Sequence, residues 1–253
     1  MKRSIVFTNR KGGCGKTTTA VNVAAAFAHM GRRVLLIDTD PQAHATMSFG
    51  IEQGALSADL TAVLRGEISA RGALRRTHTP RLTILPASRR LAAYERNHAG
   101  DREARTRLAE VLGDLDSTFE FVIFDTPPTS GLLTVQALVA ATEAYIPMQS
   151  HFLAMEGMVE IVEVVDQVRK HYNRELEIKG IIPTFVGEQK EISRQIMEEV
   201  EDELGEGIFL KPVRINDALA EAPGFGKTVF QYDIRSRGAL DYYRVAQEIL
   251  DRR

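Results

Sequence analysis

A chain of 253 residues with a formal net charge of −2 can bury one large α/β core and is no overall electrostatic magnet for nucleic acid or acidic lipid. Its 44% hydrophobic and 26% charged content is that of an ordinary soluble globular protein. The single cysteine, Cys14, excludes an intrachain disulfide and any cluster built from several thiolates of one chain, and it agrees with a reducing cytoplasm.

In chain order, the first predicted element is a buried strand over 4–9 (SIVFTN), too short an apolar run for a signal peptide. No apolar stretch approaches the ~18 residues of a membrane span. The loop that follows reads Lys11-Gly12-Gly13-Cys14-Gly15-Lys16-Thr17-Thr18 and opens a helix expected over 17–30. The common phosphate-loop pattern places a glycine where Arg10 stands, so that pattern fails as usually written. Its physics is nevertheless present. Gly12, Gly13 and Gly15 let backbone N–H groups turn onto phosphate oxygens, and the helix start adds its dipole. Lys16 is spaced to bridge the β and γ phosphates and the Thr17 hydroxyl to ligate Mg²⁺. Cys14 reads as a small filler with no base beside it to make it a nucleophile.

A strand over 33–38 runs into Asp38-Thr39-Asp40-Pro41-Gln42. The 50–80 region, rich in Ala, Arg and Gly, yields no assigned element. Strands follow over 82–87 and 121–126, with a helix over about 101–116 between them, and the second strand ends in Asp125-Thr126-Pro127-Pro128. An acid at the carboxyl end of an apolar strand suits a second holder of hydrated Mg²⁺, which fits Asp125. Either Asp38 or Asp40 could position or activate an attacking water. Further on, helices are expected over 131–141, 155–171, 189–204 and 236–251, and strands over 144–149, 178–184 and 208–213.

Two late stretches need a reading of their own. Gly224-Phe225-Gly226-Lys227-Thr228 looks like part of a second phosphate loop, but it follows Ala-Pro and precedes an expected strand, so it reads as a turn. In the last helix Leu240, Tyr243, Ala246 and Leu250 recur at helical spacing and read as the core-facing stripe. Alternating strands and helices predict one domain over 1–253, a doubly wound and mostly parallel sheet with helices on both faces. Ligands of such sheets sit beyond the carboxyl ends of the strands, where these polar motifs fall.

Taken together, KGGCGKTT, RVLLIDTDPQAHAT, FVIFDTPPTSGLLTVQAL and ALAEAPGFGKTVFQYDIRSRGALDYYRVAQEIL resemble the ParA/MinD group of ATPases with a deviant phosphate loop, and the last stretch resembles the ParA branch. The resemblance covers nearly the whole chain. It implies ATP and Mg²⁺ as cofactors and a homodimer formed on ATP binding. Lys11 would reach phosphate bound by the partner subunit, as an arginine finger does. Asp40 would serve hydrolysis, Asp125 the magnesium site and Asp38 the support of the loop. Thr18 would touch phosphate, and Thr184 and Asn216 match regions near the adenine pocket.

Relatives of the partitioning branch ride on nucleoid DNA through basic residues of the C-terminal half. Matched backward from Glu221-Ala222-Pro223, two of those positions here are Ile215 and Ala218, and a third falls on Gln189. Candidates to replace them are Lys190, Arg194, Lys211, Arg214, Arg235 and Arg237, since phosphate contacts need only clustered cations. The chain begins close to the loop, which leaves no room for an N-terminal operator-binding domain, and membrane binding is not expected. The resemblance thus implies an ATPase that positions cargo and is reset by an activating partner. The cargo is a chromosome or plasmid through a ParB-like adaptor, or a protein assembly such as a chemoreceptor cluster or carboxysome-like compartment. The alternative is an ATP-gated dimeric regulatory module that binds a protein or membrane partner without DNA.

Overall fold

The computed structural model describes residues 3–115, 118–149, 154–187, 198, 200–202 and 204–252. Its strands are β1 (Arg3–Phe7), β2 (Val34–Asp38), β3 (Arg75–Arg76), β4 (Leu82–Leu85), β5 (Phe121–Asp125), β6 (Glu143–Gln149) and β7 (Glu177–Thr184). They form one sheet in the order β3-β4-β2-β5-β1-β6-β7, parallel throughout except for the antiparallel edge pair β3–β4. The helices are α1 (Lys16–His29), α2 (His44–Met47), α3 (Leu60–Leu64), α4 (Ala70–Ala73), α5 (Arg90–His98), α6 (Arg107–Leu112), α7 (Leu132–Ala140) and α8 (Ala154–His171). Among the described residues, α9 (Asp217–Glu221), α10 (Val229–Tyr232) and α11 (Arg237–Asp251) lie further along the chain. None of the described helices is long and apolar enough to cross a membrane.

Every residue of β2 and β5 is buried, as expected of central parallel strands covered on both faces. The period-2 geometry of a strand divides their side chains between two cores. Ile5, Phe7, Leu36 and Ile123 pack with α1 and α11, while Val6, Leu35, Ile37, Val122 and Phe124 pack with α3, α6 and α7. Alanines 20, 24, 25, 26 and 28 of α1 let this helix lie close to the sheet and to α11. The central layer therefore holds the carboxyl ends of β1, β2 and β5 side by side.

Several expected elements come out differently. The 208–213 run is extended but forms only isolated bridges, Ile181↔Phe209 and Val186↔Arg214. Pro183 and Pro212 explain the gap, since neither can donate to a ladder beside β7. Val213 N–H bonds the Pro183 carbonyl at 2.8 Å instead. The expected helix over 101–116 is the shorter α6 between 3-10 turns at Glu103–Arg105 and Gly113–Leu115. The fragment at 224–228 is a turn, but it leads into a helix, not a strand. Thr228 and Gln231 form a reciprocal capping box that starts α10. In α11 the buried face is Ala239, Tyr242, Val245, Ala246 and Ile249, whereas Leu240 and Tyr243 are 45% and 38% exposed. The Tyr242 hydroxyl lies 3.1 Å from that of Thr19 on α1, and this buried polar contact fixes which face turns inward.

The unread 50–80 region holds α3, α4 and β3, which are too short for a periodic signal. Their legible marks are the caps, where Asp59 accepts the Ala62 N–H and Ser69 accepts the Gly72 N–H. Residues 188–197, most of the helix expected over 189–204, lie outside the described residues.

Candidate functional site

β1 delivers the chain to the loop through Asn9, a buried residue that the sequence reading missed. Its side-chain amide donates to the Pro147 carbonyl at 2.8 Å, and its Oδ1 accepts the Lys11 N–H at 3.0 Å. The loop is thereby fixed to β1 and β6 at its first turn. Gly13 and Gly15 have φ of +72° and +87°, left-handed values that an L side chain rarely adopts, so glycine is required at both. Gly15 is the residue that starts α1, and no side chain caps that end of the helix. Gln149 and Thr184 hold the rest of the loop, by hydrogen bonds to the carbonyls of Gly13 at 2.9 Å and Cys14 at 2.8 Å. With those carbonyls engaged behind it, the loop can present its amides outward as a phosphate cradle.

Lys16 is almost wholly buried, and its Nζ donates to the Lys11 carbonyl at 2.9 Å. The side chain thus folds back along the loop it serves. Cys14 is fully buried, and burial raises its thiol above the usual range, which argues against a nucleophile. Thr17 and Thr18 stand half-buried on the first turn of α1.

The acids meet across strands. β2 and β5 pair in a register that sets Asp38 opposite Asp125, and β1 sets Phe7 opposite Asp125 on the other side. Asp125 is fully buried, and neither carboxylate oxygen has a hydrogen-bond partner of normal geometry. Burial, and then the charge of Asp38, push its carboxyl well above the ordinary range, against the opposing pull of Thr17 and Lys16. An orphaned buried carboxylate beside a loop threonine is what a divalent cation with oxygen ligands would satisfy, so Thr17 and Asp125 fit Mg²⁺.

Asp38 is equally buried but fully engaged. Its Oδ1 accepts the Asp40 N–H at 3.1 Å, and its Oδ2 accepts both the N–H and the hydroxyl of Thr46 at 2.8 and 2.7 Å. Burial still pushes its carboxyl up to about 7, and those hydrogen bonds oppose the rise. Asp40, 6% exposed, accepts the Gln42 N–H at 2.8 Å. The structure thus brings Lys11, Lys16, Thr17, Asp38 and Asp125 to one end of the sheet. Thr184 belongs to the same place as a support of the loop. Asn216 faces Gly238 of α11, with its Oδ1 buried and unpartnered.

Of the six basic candidates for a DNA surface, Lys190 and Arg194 lie outside the described residues. Lys211, Arg235 and Arg237 are exposed. Arg214 is held bidentate by the buried Asp241, at 3.0 Å through Nε and 2.6 Å through the terminal nitrogen. Its charge is matched within the fold, and it joins the extended segment to α11. Ile215 is 63% exposed and Ala218 is buried.

A family model described as an AAA domain matches residues 2–178. The sporulation initiation inhibitor protein Soj of Bacillus subtilis is 35% identical over 249 residues, covering 98% of each chain. The chromosome partitioning protein ParA of Caulobacter vibrioides is 34% identical over 252 residues, covering 99% of this chain and 94% of the relative. Among solved structures, cobyrinic acid a,c-diamide synthase from Mycobacterium smegmatis with bound ADP and magnesium superposes with a TM-score of 0.86 at 31% identity, over 99% of this chain and 94% of that one. Apo McdA from Cyanothece reaches 0.87 at 19% identity, over 99% of this chain and all of that one, which is a likeness of fold.

Proposed function

The chain belongs to the ParA branch of the ParA/MinD ATPases, and from that premise we propose that it is a Mg²⁺-dependent ATP hydrolase that closes into an ATP-bound dimer and positions intracellular cargo. The observation that carries the reading is Asp125, a buried and unpartnered carboxylate set opposite Asp38 at the mouth of the phosphate loop. Bound Mg²⁺ supplies positive charge against the β and γ phosphates. Around it the chain's own groups divide the work. The loop amides of Gly12, Gly13, Cys14 and Gly15 cradle phosphate, Lys16 turns its ammonium to them, and Thr17 and Asp125 hold the cation. Thr18 contacts phosphate, and Asp40 orients the water. Lys11 contributes its charge across the dimer, where two bound triphosphates would otherwise repel.

On this reading the protein works in the cytoplasm, associated with the nucleoid, and a ParB-like or other adaptor stimulates hydrolysis and resets the dimer. The Asp40→Ala protein, trapped with ATP, is expected to bind non-specific duplex DNA with ATP and not with ADP, and to lose affinity steeply as salt rises. Absence of binding by a demonstrated ATP dimer would remove DNA as the matrix. A second reading has its own support. Ile215 exposes an apolar side chain where the resemblance led a cation to be expected, and Arg214 beside it is tied to Asp241. Those features suit an ATP-gated dimeric regulatory module that binds a protein or membrane partner without DNA.

A further inference from the structure

We propose that Thr46 is a positioning residue for ATP hydrolysis, whose hydroxyl holds Asp38 and, through Asp38, the backbone of Asp40. The inference rests on the reading of Asp40 as the residue beside the attacking water. Thr46 is fully buried on α2. Its hydroxyl lies 2.7 Å from Asp38 Oδ2 and 3.0 Å from the backbone nitrogen of Ala87. A backbone N–H can only donate, so the Ala87 N–H takes the acceptor side of the hydroxyl. The one hydroxyl proton is then committed to Asp38.

The consequence falls on the segment between the two acids. Asp38 Oδ2 receives Thr46 at one end of the segment 40–46, and Oδ1 receives the Asp40 N–H at the other. One carboxylate therefore brackets the whole turn that carries Asp40. With donors on both oxygens, this carboxylate serves to fix the geometry of the turn. The bracket is itself anchored. Ala87 follows β4, and the next residue, Ser88, donates its hydroxyl to Asp59. Asp59 also caps α3 through the Ala62 N–H at 3.0 Å and pairs with Arg90 at 2.8 Å. Thr46 thus joins the Asp40 turn to a hydrogen-bonded neighbour that the phosphate loop does not touch through any of these bonds.

Thr46→Val keeps the shape and removes the hydroxyl, and Thr46→Ser keeps the hydroxyl. The full-length wild type and both variants are compared in steady-state ATP turnover and in the Kd for a fluorescent ATP analogue with Mg²⁺. Thr46→Val is expected to lose about tenfold to a hundredfold in kcat, the scale of an ångström-sized misplacement. Its KM and Kd should stay within about threefold of wild type, and Thr46→Ser should stay within about threefold throughout. Amide hydrogen exchange on the nucleotide-free proteins gives a second readout, with faster exchange at Asp40 and Ala87 expected in Thr46→Val and not in Thr46→Ser. An unchanged kcat in Thr46→Val overturns the proposal, as does an equal loss in Thr46→Ser or a parallel rise in Kd. A wild type that binds but never hydrolyses ATP would instead defeat the ATPase reading. The exchange data would then still decide the bracket, since unchanged exchange in Thr46→Val overturns it.

Discussion

Asp125 holds two carboxylate oxygens in the core with no hydrogen-bond partner of normal geometry, and that cost is written into its raised affinity for a proton. A carboxyl raised in the folded state binds more protons than its unfolded counterpart at intermediate pH, so folding stability falls as pH rises above the ordinary carboxylate range of ~4. Below that range both states are protonated and the cost disappears. Asp125→Asn should therefore stabilise the nucleotide-free protein at pH 8 by about 1–3 kcal/mol, roughly 3–9 °C in Tm, with the gain vanishing toward pH 4. Thermal unfolding between pH 4 and 8 measures this, and a gain that does not vary with pH would show that Asp125 does not titrate there. The same variant should lose the effect of Mg²⁺ on ADP affinity, so the stability gained is function lost. At this scale the sequence was informative wherever a residue type had one good use. Two lysines, three glycines and three acids announced themselves, while Asn9, Gln149 and Thr46 did not, because their partners Pro147, Gly13 and Ala87 are remote in the chain.

Between elements, the turn at 223–226 shows how close backbones must come to tie the C-terminal part to the Asp40 region. Gly226 has φ of +63°, and a Cβ there would lie 2.8 Å from Gly50 Cα and 2.9 Å from Gly50 N. Gly50, at φ +72°, sits just after α2. Asn22 of α1 adds a bond from Val229 N–H at 2.9 Å, so the stretch from Gly226 to Val229 is tied to both the α2 region and α1. Gly226→Ala should cost about 2 kcal/mol through strain and overlap, whereas Gly224→Ala, with nothing within 4 Å, should be nearly neutral. Urea midpoints of the two variants test the contact, and equal midpoints would mean that the turns part easily. That stretch looked like a phosphate loop in the sequence because both jobs select glycine for left-handed backbone. Only the neighbouring backbone tells them apart.

For the whole molecule, the proposed assembly turns on Lys11. Its backbone is fixed by Asn9 and by Lys16, which sets where its side chain leaves the loop. Lys11→Ala should keep ATP binding by the monomer within about threefold and lose ATP-dependent dimerisation. Sedimentation with ATP and with ADP separates the two properties, and a Lys11→Ala protein that still dimerises with ATP would assign that lysine another role. The outer surface bears on the matrix. Arg214 is spent on Asp241 and Ile215 is exposed, so among the described candidates a DNA track would draw on Lys211, Arg235 and Arg237.

By itself the sequence determined the elements whose signals are local. Glycines that need unusual φ, acids closing apolar strands and the alternation of strand with helix identified the loop, the acids and a parallel sheet, because each depends on residues within a few positions of one another. Tertiary structure decided the rest. The register that sets Asp38 opposite Asp125, the face that α11 buries, the capture of Arg214 by Asp241 and the prolines that break the ladder beside β7 all join residues far apart in the chain. Such contacts follow from strand order and helix approach, which alternation leaves open, and packing selects one arrangement among many that the same local pattern would allow.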